Sequence, residues 1–200
     1  MGVPAMISPA TSSASERLFT FVGGSVGTWQ VTKNACLIGE PIPEAEKLEI
    51  YPAQTAIPET HHRWLLRGIR SNERYVTREE RKQLTAVQEG LGRPESTCAA
   101  LIPIRKSEAW WTLTQNERRE IFEEQSRHIR SGLKYLPPVA RRLHHCRDLA
   151  EHEPFDFLTW FEYAPAYETE FEALLLELRL SPEWQYVDRE IDIRLVRLGD

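Results

Sequence analysis

The sequence predicts an α+β fold built on antiparallel sheet, and three observations predict it. Residues 188–196 alternate strictly, with Ile191, Ile193 and Leu195 on one face and Glu190, Asp192 and Arg194 on the other. That is the period of a half-buried strand with its polar residues pointing outward. Phe171, Leu174, Leu175 and Leu178 recur at helical spacing behind Thr169 and Glu172, a capping-box pair. The elements of the second half then run β-α-β-β-α-β, the order of a ferredoxin-like unit with its helices on one face of the sheet.

Residues 1–16 are small and polar and read as a disordered tail. Residues 17–31 alternate well enough for a strand, or for a hairpin bent at Gly23-Gly24. Residues 34–60 are broken by four prolines and read as irregular, with one short strand near Leu48–Tyr51. Residues 62–76 give a strand and a turn, and Thr77 with Glu80 caps a helix that ends at Gly90. The first half is thus a shortened copy of the second, alike in element order rather than in sequence. The expected division is a shortened N-terminal unit over 1–95 and a complete C-terminal unit over 96–200.

Residues 96–106 read as a buried strand. Thr114 and Glu117 form a further capping box, and the helix behind them places Ile121, Gln125, His128, Ile129 and Leu133 on one face. Gly132 and Pro137-Pro138 stop it. Residues 141–147 and 155–163 are the next two strands.

Composition excludes several classes. A net charge of −5 gives no general basic field for nucleic acid or an anionic membrane. An anionic substrate would need a local basic site. No apolar run approaches the ~18 residues of a membrane span. Three widely spaced cysteines form no C-x-x-C and no disulfide framework. The first residues lack the basic and apolar regions of a signal peptide, so the cytoplasm is the expected compartment. No glycine-rich phosphate loop and no G-x-S-x-G occurs.

Two features could carry chemistry. His128 falls on the buried stripe of its helix, where it is either a hydrogen-bonded core histidine or an iron ligand, and periodicity does not choose. Arg141 and Arg142 are adjacent on a strand and must face opposite ways. The same alternation makes His144-His145 and His61-His62 poor joint metal sites.

The set K-x-x-x-W-W from Lys106, then His128, then Y-L-P-x-x-x-R-x-L-x-H from Tyr135, then D-F-L-T-W-F-E from Asp156 resembles the chlorite dismutase family of haem b proteins. The resemblance runs from about Arg63 to Arg194, and its weight lies in the combination at fixed spacing. It implies that His128 is the proximal iron ligand and that Arg141, thirteen residues later, stands on the distal side. It places Glu183 as the acceptor for the other ring nitrogen of His128, with Glu177 and Glu162 as alternatives. Lys106 belongs to the same network. Trp110 and Trp111 edge the haem, Trp111 being the better candidate for a propionate contact, and Asn72 and Tyr75 reach the propionates from the other side. The family fold is two fused ferredoxin-like units of the dimeric α+β barrel type, with haem in the C-terminal one, and its short members are homodimers. The implied function is a haem b-dependent chlorite O2-lyase that converts chlorite to chloride and dioxygen. The alternatives are coproheme decarboxylase, whose members lack the distal arginine, and a non-catalytic haem-binding protein.

Overall fold

A computed structural model describes residues 17–53, 55–57, 60–70, 90–126, 131, 134–135, 138–149 and 153–199. The eight strands are β1 Leu18–Gly24, β2 Trp29–Ile38, β3 Lys47–Pro52, β4 His62–Arg70, β5 Cys98–Lys106, β6 Val139–His145, β7 Phe157–Tyr163 and β8 Val187–Arg197. The helices are α1 Glu108–Thr112, α2 Gln115–Arg119 and α3 Glu168–Arg179. A π turn over Glu120–Gln125 continues α2, and 3-10 turns span Pro165–Tyr167 and Pro182–Tyr186.

The strands close into an antiparallel barrel in the order β1-β3-β2-β8-β5-β7-β6-β4. Read from β4, the ring is β4-β1-β3-β2 followed by β8-β5-β7-β6, so the two halves of the chain repeat one strand order. The barrel interior is packed by Phe21, Trp29, Leu48, Leu101, Leu158, Trp160, Ile191 and Ile193. A second apolar layer lies outside, where Ala100, Ile102, Ile104 and Phe161 meet Phe171, Leu174, Leu175 and Leu178 of α3. Strand β5 is therefore covered on both faces, which is why it reads as an unbroken apolar run rather than an alternation.

The N-terminal half departs from expectation. Residues 17–31 form parts of two strands that do not pair with one another. Gly24 of β1 and Gln30 of β2 both face Lys47 of β3, and β2 then runs on along β8 from Gln30↔Val196 to Ile38↔Glu190. Residues 34–38 are thus strand, not irregular. The partner that orders them lies more than a hundred residues away, and their own side chains are mostly half-buried or exposed. The expected short strand near Leu48–Tyr51 is β3. Gly23 is required by packing, because a Cβ there would stand 2.1 Å from the indole of Trp64 on the facing strand. The tail and the helix expected between Thr77 and Gly90 lie outside the described residues, apart from its stop at Gly90.

One helix detail agrees and two differ. The box at Thr114 is formed, with the Glu117 amide donating to Thr114 Oγ1 and the Thr114 amide to Glu117 Oε2. The one expected at Thr169 is not. Here the Pro165–Tyr167 turn feeds α3 directly, Thr169 falls inside the first turn, and Glu172 binds Arg194 instead. Within the stretch from 121, Gln125 is exposed and Ser126 is buried. The π turn explains this: Ser126 N donates to Ile121 O, five residues back, and the extra residue moves the buried face on by one.

The polar face of β8 does not meet solvent. Glu190, Asp192 and Arg194 lie beneath α3, where Arg179 Nε donates to Glu190 Oε1 at 2.7 Å and Arg179 Nη2 to Asp192 Oδ2 at 3.0 Å. Arg194 bonds both Asp192 and Glu172. Burial alone would raise the Asp192 carboxyl, but Arg194 and Arg179 overcome it and hold it below its ordinary value.

Candidate functional site

The antiparallel register of β6 against β7 decides where each candidate points, since directly opposed residues share a face. Arg142 opposes Trp160 and His144 opposes Leu158, both residues of the barrel interior. Arg141 opposes Phe161 and His145 opposes Phe157, on the outer, helix-covered side. The two arginines are separated as the alternation requires. Arg142 lies 4.3 Å from the ring centroid of Phe19. Arg141 stands on the outer face, where burial lowers its guanidinium pKa from the ordinary value. Arginine starts so high that it remains a cation at any working pH.

His144 is fully buried against Phe19 and Phe21 and shares its Nδ1 with the Leu158 carbonyl at 3.2 Å. Burial first, then the charge of Arg142, pushes its pKa down to about 3. His145 instead packs edge-on to Phe157 at 4.9 Å. The pair therefore serves two separate environments.

On the outer face, Phe157 stacks on Trp111 at 6.2 Å, so His145, Phe157 and Trp111 form an aromatic row on the same sheet face as Arg141, four residues along β6 from it. Arg147 covers the other side of Trp111, 3.9 Å from its centroid, and Arg118 approaches at 5.5 Å. The Trp111 indole N–H is out of solvent and lies against the Asp156 carboxyl. Beneath this row, Asp156 accepts the Lys106 amide at 2.7 Å and pairs with Arg147 at 3.5 Å. Burial raises the Asp156 pKa above its ordinary value in spite of those partners.

Lys106 is not a solvated strand end. It is buried, and its Nζ donates to Glu183 Oε1 at 2.8 Å and to the Glu183 carbonyl at 3.3 Å. Trp110, itself buried, lies 4.8 Å below that ammonium and packs on Tyr186. Trp110 thus supports the lysine, while Trp111 belongs to the aromatic row. Glu183 is also buried, in the 3-10 turn after α3. Its amide donates to Ser126 Oγ at 3.0 Å. Ser126 stands two residues before His128, so Glu183 is tied to the segment that leads into it.

The other two glutamates have different duties. Glu177 accepts from Ser131, Lys134 and Tyr135, and these bonds hold its pKa below the ordinary carboxylate value. Glu162 lies inside the barrel, taking the Trp160 indole N–H at 2.9 Å and the Gly92 amide. His128, Asn72 and Tyr75 lie outside the described residues. Ser126, Arg147, Asp156 and Trp184 are site neighbours that sequence reasoning passed over. The first of them carried a signal, as a small polar residue two positions before the candidate ligand. Among the described residues, no cluster of three or more His, Cys, Asp or Glu could hold a metal ion. No described helix is long and apolar enough to cross a membrane.

Comparison with known proteins places the chain, rather than its individual side chains, in a family. A family model described as chlorite dismutase matches residues 51–198. A crystal structure of dimeric chlorite dismutases from Nitrobacter winogradskyi is 54% identical, covers 90% of this chain and 99% of its own, and superimposes with a TM-score of 0.83. A chlorite dismutase from Candidatus Nitrospira defluvii in complex with imidazole is 20% identical with a TM-score of 0.63, over 90% of this chain and 91% of its own. At that identity it speaks to the fold alone. A curated chlorite dismutase from Ideonella dechloratans is 34% identical over 88 residues, which is 44% of this chain and 28% of the relative. The matched part is therefore well under half the length of that relative.

Proposed function

Because the chain belongs to the chlorite dismutase family, we propose that it is a haem b-dependent chlorite O2-lyase, with His128 as the iron ligand and Arg141 as the residue that holds the anion. The observation that carries this reading is the position of Glu183. It is buried, bonded to Lys106 and tied to Ser126, on the same outer layer as Arg141.

The residues suit such a cofactor. The row offers aromatic surface, with Phe157 and Trp111 nearly parallel and His145 edge-on to Phe157. Arg147 and Arg118, held against the Trp111 ring, are a donor set for carboxylate groups such as propionates. Asn72 and Tyr75 would serve the propionates from the opposite side. When bound, a ferric haem supplies the centre at which chlorite is rearranged to chloride and dioxygen.

The protein's own part is electrostatic and positional. Glu183 accepts from the imidazole N–H of His128, fixing the ring and raising its basicity. Lys106 holds that carboxylate in place by a charge-assisted hydrogen bond. Arg141 binds chlorite by charge-assisted hydrogen bonds and retains the oxychlorine fragment until its oxygen is joined. Partial desolvation of Arg141 strengthens those bonds.

We read the barrel as two fused ferredoxin-like units, 1–95 and 96–200, on the repeat of strand order around the ring. We propose a homodimer by likeness to the dimeric chlorite dismutase of Nitrobacter winogradskyi. The test is hemin titration followed by chlorite. The wild-type protein takes up haem and evolves oxygen, and His128→Ala loses the ligand-bound haem spectrum. An unchanged spectrum in His128→Ala would assign the iron to another residue.

A further inference from the structure

The turn that carries Glu183 is held from two sides. On one side, Lys106 and Ser126 bind Glu183 itself. On the other, the neighbouring Trp184 donates its indole N–H to Glu190 Oε2 at 2.9 Å. Glu190 is almost wholly buried on β8, and its second oxygen is taken by Arg179 of α3 at 2.6 Å. Arg179 also binds Asp192, which binds Arg194, which binds Glu172 at the start of α3. The face of Trp184 lies 5.5 Å from Lys106 Nζ, so one side chain touches both the buried ion-pair chain and the lysine of the site.

We infer that Trp184 and Glu190 are positioning residues for Glu183, joining the ion-pair chain beneath α3 to the carboxylate that orients His128. The physical case rests on what the turn lacks. It is five residues long, and its N-cap Ser181 makes no side-chain cap. A turn this short does not fix its own rotation. Its backbone is pinned at Tyr186, whose carbonyl accepts from Ser107 at 2.7 Å, and at the Glu183 amide. Lys106 Nζ adds a hold on the Glu183 carbonyl from β5, and the Trp184–Glu190 bond adds one from β8 that ties the turn to the ion-pair chain. Glu190 is held rigid in turn, because Arg179 is itself fixed by Asp192. Loss of the Trp184 bond frees the turn to rotate, and the Glu183 carboxylate moves relative to whatever it orients.

This inference rests on the reading of Glu183 as the partner of a haem-ligating His128. The test is the ferric/ferrous midpoint potential of the haem-loaded protein, with hemin dissociation as a second readout, for Trp184→Phe, Glu190→Gln and Glu183→Gln. Weakening the carboxylate–imidazole bond reduces donation to ferric iron and raises the potential. Glu183→Gln is expected to raise it most. Trp184→Phe is expected to raise it in the same direction by a smaller amount and to release hemin several-fold faster, with a melting temperature near wild type. Glu190→Gln retains an acceptor for Trp184 and should lie between wild type and Trp184→Phe. A shift in Glu183→Gln with wild-type potential and hemin release in Trp184→Phe overturns the inference alone. No shift in Glu183→Gln removes the underlying role of Glu183, and the inference with it.

Discussion

Neighbouring side chains on β6 do unrelated work because a strand alternates. Arg141 faces the outer layer while Arg142 lies over Phe19 inside the barrel. His144 is buried with one ring nitrogen on Leu158 and the other without a partner. Its folded pKa of about 3 lies below the ordinary 6.5. Between those values the unfolded chain takes up a proton that the folded chain refuses, so this group costs stability as pH falls from about 6.5 towards 3. The slope is at most about 1.4 kcal/mol per pH unit. His144→Leu is expected to flatten the acid limb of stability by that amount, while losing roughly 1 kcal/mol at neutral pH for the hydrogen bond. Urea midpoints measured from pH 4 to 7 check it, and parallel wild-type and variant curves would show that His144 is not the titrating group. Alternation made the separation of Arg141 from Arg142 readable in the sequence. The depth of His144 was not readable, because it depends on Phe19 and Phe21 from a distant strand.

At the scale of elements, the second half of the chain was the more legible. Strands β5 to β8 and helix α3 have apolar patterns set by local neighbours, so their period finds them, although the cap expected for α3 at Thr169 is not formed. The π turn was not legible. Its sequence, EIFEEQ, is ordinary helix former, and only its bond from Ser126 to Ile121 shows the extra residue. The consequence is functional, since Ser126 rather than Gln125 reaches the layer of Glu183. The end of β5 is joined to the turn after α3 by the Lys106–Glu183 pair, both partners nearly free of solvent. Removing one member of a buried pair leaves an uncompensated charge and costs about 3–5 kcal/mol. Lys106→Met is expected to lose that much in chemical denaturation, and Lys106→Met with Glu183→Gln to recover a large part. A double variant as unstable as the single one would show that the lysine acts through packing on Trp110 instead.

The whole molecule depends on closing the barrel, and the closing seam is narrow. Among the described residues, strand β4 meets β6 only at Ile69↔His145 and Arg70↔His144, although it pairs with β1 along its length. Gly68 makes the seam possible. A Cβ there would stand 2.5 Å from that of His144 and 3.3 Å from Cys146 Sγ. Gly68→Val is expected to cost about 1–3 kcal/mol of overpacking and to lower the melting temperature by several degrees. An unchanged melting temperature would mean that β4 and β6 separate without consequence. Closure was the least legible feature, because β2 on β8 and β4 on β6 are pairings between the two halves of the chain. Element order suggested two similar units, but nothing local says that their edges meet.

In the proposed enzyme, the outer-face Arg141 and a His128 oriented by the buried Glu183–Lys106 pair serve the conversion of chlorite to dioxygen. That conversion is tested most directly by an oxygen electrode, with chlorite added to haem-loaded wild type and to Arg141→Ala. The account predicts nearly one dioxygen per chlorite for wild type. It predicts a lower yield, escaping hypochlorite, faster haem bleaching and a rate lower by about 10²-fold for Arg141→Ala. No oxygen from haem-loaded wild type would contradict the lyase. Equal yield and equal lifetime in both proteins would contradict the role of Arg141.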